Sequence, residues 1–243
     1  MQKVFLSILL CVFQISFAQR QDKVDFTHAD VSIAIDPYLQ EIKGTVLYTF
    51  ETNEKVSSFF LDAKAMEFSS VLLNDKKVKY DAKENKITIF KKLEKNSTNR
   101  LLLTYKVHPS QAVYFIGWDQ KETDNQIWTQ GQGKYTSHWL PSFDDMTEKV
   151  EFDLQFTFDK RYDVIANGVL KKAEVSGDLK TWNYDMSAPM SSYLIAFAIG
   201  NYLKKEESTN SGIPLEMYYY PSDSSKVEPT YRYSKQIFDF LET

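Results

Sequence analysis

Cysteine is almost missing from this sequence: Cys11 stands alone among 243 residues. No disulfide can form within the chain, so its stability must come from burying apolar surface, which a chain of this length can do. A cysteine nucleophile is excluded beyond the first segment, and no G-x-S-x-G elbow supplies a serine in its place. Histidine is scarce as well. His28, His108 and His138 are the full set, and no two of them have the i, i+4 spacing of a helical zinc motif. After the first residues no apolar run approaches the ~20 positions that a membrane helix needs. A net charge of -4 excludes a strongly basic nucleic-acid surface, and the pairs Lys91-Lys92 and Lys171-Lys172 read as turn or strand-end charges.

What is present begins with a leader. Lys3 precedes an apolar run from Val4 to Phe13, and Ser16 and Ala18 have the spacing of a small-x-small cleavage site. This predicts a signal peptide over residues 1–18 and export to a periplasm or out of the cell. Cys11 lies inside the apolar run after Leu10, so no lipid anchor is read there.

Phe and Tyr are abundant, at 17 and 15, which suits pleated sheet better than helix. In Lys149 to Phe158, Val150, Phe152, Leu154, Phe156 and Phe158 alternate with Glu151, Asp153, Gln155 and Thr157. A period of two means one buried and one wet face. Val31-Ile33-Ile35, Ile42 to Phe50, Ile87-Ile89 and Leu101 to Val107 read the same way, separated by turn signals at Asp36-Pro37, Asn74-Asp75, Glu84-Asn85, Asn96 to Asn99, Asn167-Gly168 and Ser176 to Asp178. Tyr193 to Ile199 lacks alternation and predicts a central strand or a short buried segment. A further strand is expected over Ile213 to Tyr220 after a polar stretch. Beyond Pro221 the period lengthens: Pro229 can open a helix with Tyr233, Ile237 and Leu241 on one stripe and Phe238 beside it. The expectation is an all-β chain, an antiparallel sandwich or saddle of sheets, ending in one helix.

The most unusual stretch is WTQGQGKYTSHWLPSFDD, Trp128 to Asp145, which holds two of only 8 glycines. On an extended segment Gln130 and Gln132 face the same side, so both amides can meet one ligand while Gly131 and Gly133 leave room for it. An amide offers an acceptor and a donor, and so suits both an ammonium and a peptide carbonyl. An edge-strand kink with solvated glutamines reads the same residues equally well. His138 near Asp144 and Asp145 is at most a partial metal set, and Asp144-Asp145 reads as a turn after Pro141 before it reads as a catalytic dyad.

The order of WTQGQGKYTSHWLPSFDDMTEKVEFDLQFTF, YDVIANGVL and MSAPMSSYLIAFAIGNY resembles the amino-terminal domain of the M1 family of zinc aminopeptidases. The shared pattern is a T-Q-x-[EQ] stretch, a Pro-x-x-Asp element, a long alternating strand, an Asn-Gly turn and a P-M-S-x-Y-L-x-A-F strand. The resemblance implies a saddle-like, mostly antiparallel multi-sheet β domain over residues 19–222. Residues 223–243 would then begin a thermolysin-like catalytic domain. It also implies that Gln132 reaches substrate, holding the free amino terminus or first carbonyl of a peptide, with Gln130 as its supporting neighbour. Many members carry Glu at the second position, and Met146 stands where a Pro is common.

The family's zinc motif H-E-x-x-H and its G-x-M-E-N motif do not occur in these 243 residues. The resemblance therefore implies zinc in the complete enzyme, none bound by this chain, no catalytic residue within it, and the catalytic domain of the same polypeptide as its partner. The rival reading is a secreted β-sandwich that binds a peptide or glycan without catalysis. A third is a family member that kept the architecture and lost the chemistry.

Overall fold

A computed structural model describes residues 23–119 and 124–242. The signal peptide expected over residues 1–18 lies outside them. Alternation builds the main sheet as the sequence predicts. The strands β1 (Val24–Asp36), β2 (Glu41–Thr52) and β8 (Thr98–Val107) turn Val31, Ile33, Val46, Tyr48, Leu101 and Leu103 into the core. Joined to them are β4 (Glu67–Leu73), β5 (Lys76–Lys77), β11 (Lys149–Asp159), β13 (Val169–Ser176) and β14 (Leu179–Asp185). The order is β13-β14-β11-β1-β2-β8-β4-β5, with β15 (Met190–Ser191) attached to β11. All neighbours are antiparallel except β1 and β11.

Three smaller sheets complete the architecture. One runs β3 (Val56–Asp62), β7 (Lys86–Leu93), β6 (Lys79–Lys83); another runs β12 (Asp163–Ala166), β16 (Phe197–Gly200), β10 (Gln126–Thr129), β9 (Val113–Ile116). The last is the pair β17 (Leu203–Ser208) and β18 (Pro214–Tyr219). The turn signals act as read: Asn74, Asp75, Glu84, Asn85 and Asn96 all take positive φ, the left-handed backbone that tight hairpins require and Asn tolerates.

Three elements differ from expectation. Tyr193 and Leu194 lie in a 3-10 turn, Ser192–Leu194, and only Phe197–Gly200 is strand, central between β12 and β10. The polar stretch after Tyr202 is itself a strand, β17. Its partner β18 satisfies its backbone, so few buried side chains are needed to specify it. The C-terminal helix does not open at Pro229. One helix, α1 (Ser224–Tyr231), contains Pro229, and a second, α2 (Ser234–Leu241), follows. Proline withholds an N–H and crowds the carbonyl four residues earlier, so the first helix stops soon after it.

Aromatic packing fixes the segment that carries the unusual stretch. Phe26 lies 4.7 Å from Phe143 and 5.4 Å from Tyr48, ring centroid to centroid. The buried Tyr48 hydroxyl donates to the Pro141 carbonyl, and the Tyr105 hydroxyl donates to the Trp139 carbonyl at 2.9 Å. Burial pushes both phenols well above their usual range, so both stay protonated donors. Residues 139–141 are thereby pinned from β2 and β8.

At the other end of that segment, the Glu148 carboxylate accepts the Phe26 N–H at 2.8 Å. Burial pushes its pKa from 4.5 to about 7, the Phe26 hydrogen bond opposes this, and Asp25 and Asp145 add to the rise. Between those values the unfolded chain holds fewer protons than the folded one. Stability therefore falls as pH rises through the window from about 4.5 to 7, and the penalty is complete above it. Partial exposure limits it to roughly 1–2 kcal/mol. Glu148→Gln keeps an oxygen for Phe26, so it should gain that amount at about pH 8 and nothing at about pH 4. Urea unfolding of both proteins at the two pH values checks this; equal differences at both would refute it.

Candidate functional site

The strand β10 ends at Thr129, whose hydroxyl accepts the Phe197 N–H at 2.9 Å and thereby couples the site to β16. Gln130 N–H then donates to the Ala112 carbonyl at 2.9 Å. Past this point the chain leaves extended geometry. Gln132 lies in a turn over 132–135, not on the strand that the i, i+2 reading assumed. The turn still brings both side chains together: Gln130 and Gln132 line one open hollow of about 380 Å³ with Gln111, Ala112, Tyr114 and Tyr135. Both glutamines are exposed, and no hydrogen bond to either amide forms among the described residues.

The two glycines serve the turn itself. A Cβ on Gly131 would stand 2.7 Å from Thr136 Oγ1 and 2.7 Å from the Tyr193 carbonyl oxygen, so this position is closed by the protein's own packing. Gly133 has φ +90, and a Cβ there would meet nothing closer than the Tyr135 ring at an ordinary 3.9 Å, so backbone conformation is what selects it. Room for a ligand comes instead from the hollow beside them.

Behind the turn is a polar brace. Lys64 Nζ donates to the Lys134 carbonyl at 2.6 Å and pairs with Asp144 at 2.8 Å. The other Asp144 oxygen accepts from Ser137 Oγ at 2.7 Å, and the Asp144 N–H donates to Asp62 at 2.8 Å. Asp145 accepts from the Thr147 N–H and hydroxyl, which is the turn role read from the sequence. His138 does not form a metal set with these carboxylates, because Asp144 is committed to Lys64 and Ser137. Burial, then Lys64, lower the His138 pKa against the pull of Asp144, which leaves its ring neutral near pH 7.

Tyr114, Tyr135 and Gln111 are lining residues that the sequence did not single out. Tyr114 stacks on Trp128 with centroids 4.2 Å apart, across the rung that pairs β9 with β10. An aromatic at matching positions of two short strands was the available signal, but the pairing of those strands was not legible. Every lining side chain is uncharged, so the hollow can orient a polar ligand by hydrogen bonds and ring contact; no nucleophile or acid–base pair faces it. Two larger hollows, of about 440 and 430 Å³, lie on the outer face of the main sheet, where most exposed polar groups already pair with one another.

Residues 26–194 match the family described as the Peptidase M1 N-terminal domain. Over 104 residues the chain is 31% identical to glutamyl aminopeptidase of Rattus norvegicus, a match covering 42% of this chain and 11% of that protein. Over 188 residues it is 26% identical to aminopeptidase N of Lactococcus lactis, covering 75% of this chain and 22% of that protein. The fold is shared with an M1 zinc metallopeptidase from Deinococcus radiodurans, at a TM-score of 0.69 and 19% identity, over 82% of this chain and 47% of that one. The chain thus spans less than half the length of each of these proteins.

Proposed function

The chain belongs to the M1 peptidase family as its N-terminal domain, and on that premise we propose that it is the substrate-positioning part of an exported zinc-dependent aminopeptidase. The convergence of Gln130 and Gln132 on one hollow carries this reading. Gln132 presents a carbonyl oxygen to the ammonium of a peptide amino terminus and an NH2 to the first peptide carbonyl. Gln130 supports it from the end of β10, and Tyr114 and Tyr135 wall the space. Zinc, held by residues of the same polypeptide outside this chain, supplies activation of the attacking water. This chain binds and orients; alone it is inactive.

The C-terminal helices support a packing partner. Tyr233, Ile237 and Leu241 are 63%, 55% and 69% exposed, and Phe240 beside them 75%. An apolar stripe of this kind is usually covered, and the catalytic domain of the same polypeptide fits it. Among the described residues no helix is long and apolar enough to cross a membrane. Export rests on the leader read over residues 1–18.

Kinetics of the full-length polypeptide on aminoacyl anilides test the assignment. Gln132→Ala removes a hydrogen bond to a charged group and should lower kcat/KM about 10- to 100-fold. Gln132→Glu adds Coulomb attraction to the ammonium and should lower KM. Unchanged kinetics in both variants would remove Gln132 from the site.

A further inference from the structure

The outer face of the main sheet carries a cluster of side chains remote in sequence from the glutamine hollow. The parallel strands β1 and β11 are in register, with His28 opposite Glu151 and Asp30 opposite Asp153. Ala29, Val31, Phe152 and Leu154 turn inward, so alternation sends His28, Asp30 and Asp153 outward together. The imidazole sits between two carboxylates, and its two nitrogens meet them differently.

Nε2 is 3.2 Å from Asp153 Oδ2, a hydrogen bond. The other Asp153 oxygen accepts the Met186 N–H at 3.2 Å, which fixes the carboxylate. Nδ1 is 3.7 Å from Asp30 Oδ2, beyond hydrogen-bond reach. That gap is the one two donors take about a single cation: bonds of about 2.0–2.2 Å at tetrahedral or wider angles separate them by roughly 3.4–3.8 Å. With Nε2 turned to Asp153, Nδ1 faces Asp30, which is how a carboxylate orients a metal-binding histidine. One donor atom from each of the three residues lies within 4.8 Å of the others.

The surroundings favour a positive guest. Asp30 and Asp153 are directly opposed, and like charges on one rung are destabilising. The facing positions on β2 are Leu47 and Thr49, which bring no cation. Lys171 lines the same hollow as Asp30 and Asp153, but its ammonium is paired with Asp185 at 3.2 Å.

We propose that His28 Nδ1 and the Asp30 carboxylate, on a ring oriented by Asp153, bind one divalent cation of the zinc class, with water filling the remaining positions. An imidazole ligand and so few oxygens disfavour calcium and magnesium, which take mostly oxygen donors. This departs from the sequence expectation that the chain binds no metal. That expectation followed from the resemblance, whose zinc motif does not occur in these residues, whereas on a strand the pair His28-x-Asp30 places two donors on one face.

The test is zinc binding by the full-length protein and two near-isosteric variants, by equilibrium dialysis at buffered free zinc with far-UV circular dichroism as the folding control. Wild type should hold one equivalent more than His28→Gln or Asp30→Asn, whose affinity at this site falls at least about 10-fold. The His28 Nδ1 resonance should shift with zinc in a long-range 15N spectrum, and Glu151→Gln should leave both readouts intact. Equal zinc content in wild type and folded variants, an unmoved Nδ1 resonance, or displacement by equimolar magnesium would each overturn the proposal.

Discussion

Gly131→Ala should destabilise the domain by about 2–4 kcal/mol, far more than alanine costs at an ordinary loop glycine. The added Cβ would press on the Tyr193 carbonyl oxygen and on Thr136 Oγ1, each at 2.7 Å. Neither can yield easily. The Tyr193 carbonyl belongs to the backbone of a 3-10 turn, and the Thr136 hydroxyl donates to Ser192 at 2.9 Å in a buried setting. Relief means moving one chain segment away from the other, which breaks that hydrogen bond and opens the seam between the 131–138 turn and the segment entering β16. Gly133→Ala is the contrast: with no contact closer than the Tyr135 ring at 3.9 Å, it meets only left-handed backbone strain of about 1–2 kcal/mol. Urea unfolding of the two variants separates the accounts. A Gly131→Ala protein within about 0.5 kcal/mol of wild type would mean that the turn can shift, and that packing is not what selects this glycine.

The contrast shows how far sequence reasoning reached. The alternating strands were legible because each burial face is written in a period of two: Val150, Phe152, Leu154, Phe156 and Phe158 are all buried as read. The hairpin turns were legible because Asn and Gly mark positive φ locally. What failed depended on partners distant in the chain. The polar β17 is a strand only because β18 lies beside it. Gln132 was placed on a strand that stops at Thr129, since the period-two rule continues until something in three dimensions ends it. Gln130 and Gln132 line one hollow all the same, because a turn can bring a side chain back beside the strand it left. Gln111 and Tyr114 joined the hollow through the pairing of β9 with β10, which no local pattern announces.

The Pro-x-x-Asp element, Pro141 to Asp144, was recognisable as a pattern before it had a physical reason, and Lys64 supplies one. Its ammonium bridges the Asp144 carboxylate and the Lys134 carbonyl, so the aspartate braces the turn that presents Gln132. Both partners are largely buried, at 21% and 17% side-chain exposure. Lys64→Met preserves the aliphatic stem and removes the charge, leaving Asp144 with Ser137 as a neutral partner only. Breaking such a pair from one side should destabilise by about 2–4 kcal/mol, somewhat less than for a fully buried pair. If the unpaired charge is the cause, Asp144→Asn in the same chain should recover part of the loss, and the double-mutant cycle should show coupling above about 1 kcal/mol. On the role proposed for Gln132, the single variant in the full-length polypeptide should also raise KM for aminoacyl anilides, because Lys134 and with it Gln132 lose their anchor. A cycle without coupling would make the brace incidental, and a destabilised variant with unaltered KM would detach the Pro-x-x-Asp element from substrate positioning.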